Sequence, residues 1–196
     1  MKYCSECGQA VCLEIPEGDN LPRYICKYCQ TIHYQNPKIV AGCLLSWQDK
    51  VLLCKRAIEP RYGSWTLPAG FMENDETTAQ AAAREAREEA GARSPTLELY
   101  TLHNLPHINQ VYLMFRGELM DGYAEAGVES LEVGLFAESE IPWDDIAFPV
   151  IHEILEFYLQ DRKTGHFPVR MGDVIRDQNN VVQIVRYQES STIKPD

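Results

Sequence analysis

The sequence predicts an α/β fold, a mixed sheet flanked by helices, with a small four-cysteine unit in front of it. Three observations carry this expectation. Short apolar runs recur from Ile39 onward and are separated by turn residues. An Ala/Arg/Glu segment, Thr77 to Ala90, and an apolar segment, Val150 to Gln160, read as helices, without the regular strand–helix alternation of a parallel sheet. Cys4, Cys7, Cys26 and Cys29 stand apart near the N-terminus as two Cys-x-x-Cys pairs.

Residues 1–34 form the first unit. Pro16, Gly18, Asp19, Asn20 and Pro22 lie between the cysteine pairs and read as a loop. The segment is too short and polar to pack its own core. Zn²⁺ held tetrahedrally by Cys4, Cys7, Cys26 and Cys29 would supply the missing folding energy and, with four thiolates, leaves no open position for catalysis. Cys12 lies in the loop and lacks the paired spacing, while Cys43 and Cys54 fall in apolar strands and read as core. Lys2, Arg23 and Lys27 are outnumbered by Glu6, Glu14, Glu17 and Asp19, so this unit does not suit nucleic acid. A protein contact such as a dimer interface is the better expectation.

Residues 35–163 form the main domain. Ile39 to Leu45 and Val51 to Arg56 read as strands joined by a turn at Gln48-Asp49-Lys50. Trp65-Thr66-Leu67 is a strand running into the loop Pro68-Ala69-Gly70. The helix from Thr77 to Ala90 has Asp75 or Thr77 as its N-cap and Gly91 as its stop. Thr96 to Leu102, Gln110 to Leu119 and Val133 to Ala137 are further strands, and Pro149 opens the second helix. Residues 164–196 read as a partly disordered C-terminal extension, with Val181 to Val185 a strand candidate and the last eight residues disordered.

The chain has 196 residues, 45% hydrophobic and 24% charged, enough to bury a core without cross-links. No apolar run approaches the ~20 residues of a membrane helix, and the start MKYCSECGQ lacks a secretory signal, which places the protein in the cytoplasm. A formal net charge of −11 disfavours polyanions. Any phosphate site therefore needs local cations or metal ions.

The first helix carries the chemistry. Glu85, Glu88 and Glu89 fall at i, i+3 and i+4 and share one face. Like charges so close call for neutralisation, and a hard divalent cation suits an oxygen-only site. The surrounding run, GFMENDETTAQAAAREAREEAGA from Gly70, resembles the signature box of the Nudix hydrolases at each of its fixed positions. The lead-in GSWTLPAG also resembles the family's, with Ala69 where glycine is frequent.

The resemblance implies an α/β/α sandwich around a mixed sheet, in which the box forms a loop, a helix and a loop. It further implies that Glu85, Glu88 and Glu89, with the Gly70 carbonyl, bind Mg²⁺ or Mn²⁺, and that Arg84 orients a box glutamate. The metal would activate water to attack a diphosphate and release a nucleoside monophosphate. A box glutamate or a later carboxylate takes the proton. Glu132 is favoured over Glu129 for that role, and Arg56 is placed to touch phosphate. Phe71 and Tyr112 are candidates to stack on a base or flavin. Glu76 either binds metal through water or fixes the loop.

Two Nudix groups share a four-cysteine ribbon. NADH pyrophosphatases carry an S-Q-P-W-P-F-P-x-S array after the box, where this chain has SPTLELYTLHNLPHINQ. The segments YQNPKIVAGCLL, VLLCKR, GVESLEV and LFAESEIPWDDIAF are closer to the plant chloroplast members that cleave FAD and accept ADP-ribose. FAD, to FMN and AMP, or ADP-ribose, to AMP and ribose 5-phosphate, is therefore the expected substrate. An NADH-cleaving enzyme or a non-catalytic nucleotide sensor is the alternative. Sensors of this kind lack box glutamates, which this chain retains. Family analogy further implies a homodimer.

Overall fold

A computed structural model describes residues 1–178 and 181–187. The chain divides into two compact units, Met1–Pro37 and Lys38–Asp196. In the first, β1 (Val11–Glu14), β2 (Arg23–Cys26) and β3 (Ile32–His33) form an antiparallel sheet in that order. The segment between β1 and β2 is a loop, as its Pro, Gly and Asp content predicts.

In the second unit, the first strands are β4 (Lys38–Trp47), β5 (Lys50–Arg56), β6 (Trp65–Thr66) and β7 (Ala69–Phe71). Helix α1 (Thr78–Ala90) follows. Then come β8 (Glu98–Leu105), β9 (Gln110–Glu118) and β10 (Ser130–Phe136). Helix α2 (Pro149–Thr164) precedes β11 (Arg170–Arg176) and β12 (Val182–Arg186). Among the described residues these nine strands make one sheet, ordered β10-β5-β4-β9-β8-β11-β12, with β6 beside β5 and β7 beside β4. The β4–β9 and β8–β11 pairs are parallel and the others antiparallel, so the sheet is mixed.

Each face of the sheet carries one helix, and the strands alternate accordingly. Cys43, Leu45, Leu52 and Cys54 pack with Ala81, Ala82, Ala86 and Ala90 of α1. Their strand neighbours Leu44, Val51 and Leu53 pack with Val150, Ile151, Ile154 and Leu155 of α2. Cys43 and Cys54 are thus core residues, and burial pushes the Cys43 thiol up to about 12. The four alanines let α1 lie close on the sheet. Its N-cap is Thr77, whose hydroxyl accepts from the Gln80 N–H while the Gln80 side chain returns to the Thr77 N–H. Asp75, the other cap candidate, sits two residues earlier with a positive φ of 64°. Gly91 closes the helix.

The sheet continues beyond residue 163. β11, which the sequence pattern does not single out, pairs with β8 and with β12, the strand expected at Val181 to Val185. The expected disorder of the last eight residues falls outside the described residues.

Candidate active site and metal centre

In the first unit, the sulfur atoms of Cys4, Cys7, Cys26 and Cys29 lie within 4.8 Å of one another. Cys4 and Cys29 are 3.6 Å apart, and Cys7 and Cys26 are 3.5 Å apart. Four thiolates at ~2.3 Å from zinc stand about 3.8 Å apart along the edges of a tetrahedron, so the donor set fits that ion. The Glu6 N–H (3.4 Å) and His33 Nε2 (3.3 Å) lie on the Cys4 sulfur, and the Thr31 hydroxyl is 3.1 Å from that of Cys29. Such donors spread the charge that four thiolates concentrate. Cys12 is turned onto the Ile25 carbonyl and is not in the cluster.

In the second unit, Glu85 and Glu89 lie one turn apart on α1, 8% and 7% exposed, against the sheet edge at β7. Gly70 faces Glu85 so closely that a Cβ there would stand 2.3 Å from its Oε1, so a side chain at this position would have to push the carboxylate aside. The Ala69 N–H is 3.4 Å from Glu89 Oε2. Glu88 points outward, with 59% of its side chain exposed.

Arg84 ties the loop before the helix to the helix itself. Its Nη2 and Nε fork onto Glu76 at 2.8 and 3.1 Å, and Nη2 also donates to the Phe71 carbonyl at 3.1 Å. Its Nη1 reaches Glu85 at 2.7 Å and Glu88 at 3.0 Å. Glu76, which also accepts from the Glu73 N–H at 2.7 Å, is thereby held below the usual carboxylate range. The geometry gives Glu76 a loop-fixing contact.

This single guanidinium serves three carboxylates and does not reach the fourth. Burial, reinforced by the charge of Glu85, pushes the Glu89 carboxyl up to about 8. Glu85 is also raised, by burial, against the pull of Arg84. Two buried carboxylates with too little positive charge, beside a bare glycine backbone, fit a hard divalent cation.

The sequence candidates distribute around this centre unequally. Arg56, at the end of β5, acts on Glu89 and Tyr112 with its positive charge, and its Nε donates to the Pro60 carbonyl at 2.9 Å. Tyr112 is partly buried and packs against the core on the α2 side. Phe71 adjoins Gly70 with an exposed ring, capped by the Lys38 ammonium at 4.5 Å. Glu132 does not join the box carboxylates. A register shift in β10 between Ser130 and Glu132 sets Glu132 opposite Lys55, 3.5 Å from its Nζ, while Ser130 stays opposite Arg56. Glu132 therefore shares the face of Lys55, which is the α2 side.

Of the two acids, Glu129 rather than Glu132 acts electrostatically on the box carboxylates. Its charge bears on both Glu85 and Glu89. The chain before it caps α1: the Glu125 N–H donates to the Ala90 carbonyl at 2.8 Å and the Gly127 N–H to that of Glu89 at 3.0 Å. A Cβ on Gly127 would collide with the Glu88 carbonyl, so this approach requires glycine. The Glu129 carbonyl then accepts from the Ala57 N–H at 2.9 Å, which fixes it between α1 and the end of β5. The GVES run held this signal, a glycine two residues before an acid.

Residues 2–35 match the family described as the Nudix N-terminal zinc ribbon, and residues 36–132 match the NUDIX domain. The human 8-oxo-dGDP phosphatase NUDT18 is 33% identical over 134 residues, 67% of this chain and 41% of that protein. An ADP-ribose pyrophosphatase of Methanocaldococcus jannaschii is 28% identical over 115 residues, 56% of this chain and 67% of that protein. The match to the human relative thus spans well under half of its length. The crystal structure of a NUDIX hydrolase from Nitrosomonas europaea is 59% identical, with a TM-score of 0.85, covering 89% of this chain and 99% of that one.

Proposed function

The chain belongs to the Nudix hydrolase family, and we propose that it hydrolyses the diphosphate bond of a nucleoside diphosphate joined to a further group, with ADP-ribose or FAD as substrate. The observation that carries this reading is the buried Glu85–Glu89 pair on α1, short of positive charge and set against the Gly70 backbone. These two carboxylates, with Glu88 and the Gly70 carbonyl, would hold Mg²⁺ or Mn²⁺. Such an ion would supply the positive charge that neutralises a diphosphate and makes an attacking water more acidic.

The chain's own groups do the rest. Arg84 holds Glu85 and the Glu76 loop in place, so the carboxylates meet the substrate already oriented. Arg56 stabilises negative charge on the phosphoryl oxygens. Glu129 accepts the proton of the attacking water, a role its position between α1 and β5 supports. AMP leaves together with ribose 5-phosphate or FMN.

The absence of the NADH-type array supports ADP-ribose and FAD over NADH, and the similarity to an ADP-ribose pyrophosphatase supports ADP-ribose. Zn²⁺ at the four cysteines is structural in this reading, and residues 1–34 act as a protein contact within a homodimer. No helix among the described residues is long and apolar enough to cross a membrane, and reduced paired cysteines suit the cytoplasm.

The test is a hydrolysis screen over ADP-ribose, FAD, NADH and 8-oxo-dGDP with Mg²⁺ or Mn²⁺. The expected result is a higher kcat/KM for ADP-ribose or FAD, with AMP as a product. A clear preference for NADH or 8-oxo-dGDP overturns the substrate assignment, and no cleavage of any of the four overturns the hydrolase reading.

A further inference from the structure

A cleft of about 480 Å³ opens at the start of α2, a size suited to a small organic group. Three separate segments of the second unit line it: Arg61 after β5, Phe148 with His152 and Glu156 of α2, and Ile184 with Arg186 of β12. All of these except Arg61 lie beyond residue 132, where the family match ends. The cleft is therefore built by segments outside the diphosphate-cleaving box.

Arg56 joins the cleft to the box. Its charge acts on Glu89, its guanidinium carbon stands 5.2 Å over the Phe148 ring, and its Nε is held by the carbonyl of Pro60, next to Arg61. Arg56 is thus linked to the box through its charge on Glu89 and to the cleft wall through Phe148.

Besides an apolar part formed by Ile146, Ala147, Phe148, Pro149 and Ile184, the lining offers hydrogen-bonding groups. Arg186 is anchored by its Nε on buried Glu153 at 2.6 Å, and its Nη2 lies 3.8 Å from Glu156. Glu153 is itself held from the core side by His103 at 2.9 Å. Glu156 is 3.6 Å from His152 Nδ1 and is half-exposed. Guanidinium donors and a carboxylate acceptor thus stand side by side, which matches adjacent hydroxyls that both donate and accept. The two aromatic rings are already engaged: Arg56 lies over Phe148, and Trp143 is 4.7 Å from His152.

We infer that this cleft is the subsite for the polyhydroxylated group on the second phosphate, a ribose or a ribityl chain, recognised by Arg186 and Glu156 with Arg61 alongside. The inference rests on the hydrolase reading above. It gives β12 a role in substrate choice.

Calorimetric titration of the full chain with ribose 5-phosphate, FMN and AMP tests it, in the wild type and in Arg186→Ala and Glu156→Ala. Ribose 5-phosphate carries the ribose and FMN the ribityl chain, so the tighter of the two identifies the source. Each variant is expected to weaken that ligand by about 10- to 100-fold, the loss of a charge-assisted hydrogen bond, and to leave AMP affinity unchanged. Arg186→Ala also strips a partner from buried Glu153; Glu156→Ala holds no buried group and keeps the test valid should the first variant unfold. Unchanged affinity for both polyol phosphates, or an equal loss for AMP, overturns the inference. Turnover is read separately. Binding through Arg186 without hydrolysis of ADP-ribose or FAD by the wild type refutes the hydrolase reading and leaves the cleft assignment standing.

Discussion

Replacing Glu89 by Gln is expected to stabilise the protein in Mg²⁺- and Mn²⁺-free buffer while abolishing most of its turnover. The Glu89 carboxyl is raised from 4.5 to about 8 in the folded chain, chiefly by burial and then by Glu85. Because the folded form holds its proton more tightly than the unfolded one, the group costs nothing below about pH 4.5. The cost grows as pH rises from there and levels off above about 8. At pH 7 it is on the order of 3 kcal/mol, at ~1.4 kcal/mol per pH unit between the unfolded value and the working pH. Gln fills the same space, still accepts from the Ala69 N–H and carries no charge to desolvate. A chain of this size gains ~2–4 °C per kcal/mol, so the variant should melt roughly 6–12 °C higher at pH 7, with the difference vanishing toward pH 4.5. Added Mg²⁺ or Mn²⁺ should raise the wild-type melting temperature and have a smaller effect on the variant, because the ion supplies the missing charge only where a carboxylate awaits it. The assay is a thermal melt followed by circular dichroism, without chelator, so that zinc is retained. A variant that melts at or below the wild type at pH 7, or that gains as much from Mg²⁺, refutes the charge-deficit argument.

Other outcomes follow from the same geometry. Glu129→Gln should lower kcat by about 10²–10⁴-fold in steady-state assays if it takes the water proton. Glu132→Gln, which breaks only an exposed pair with Lys55, should leave kcat nearly unchanged, and equal losses in the two would remove the distinction. Elemental analysis should find one zinc per chain in the wild type and none in Cys26→Ser, whose sulfur is buried in the cluster; a zinc-free wild type ends the assignment. Light scattering should give twice the 22.4 kDa chain mass, and a monomer at working concentration contradicts the homodimer.

The reach of the sequence differs between the chemistry and the substrate for a physical reason. α1 was legible because its signals are local: Thr77 caps, Gly91 stops, and the helical repeat alone puts Glu85 and Glu89 on one face. β4 and β5 were legible because sheets covered on both faces need continuous apolar runs. β7 and β11 were not: three residues beside a proline, and a run mixing Gly172, Asp173 and Arg176 into its apolar positions, carry no clear period. Glu132 is set opposite Lys55 by one irregular residue pairing in β10. A single added residue flips every later side chain to the other face, and composition does not reveal it. The cleft lay further out of reach. Its walls come from residues near 61, 150 and 185, and β12 arrives there only because β11 crosses over to pair in parallel with β8. Selectivity among substrates that share an adenosine diphosphate must arise where they differ, in contacts beyond the second phosphate. In the proposed function those contacts are assembled by tertiary structure from distant segments, whereas the carboxylates proposed to hold the metal follow one another along a single helix. A motif can therefore identify the bond that is cut while the identity of the leaving group is written in the sheet's crossover and the strand at its edge.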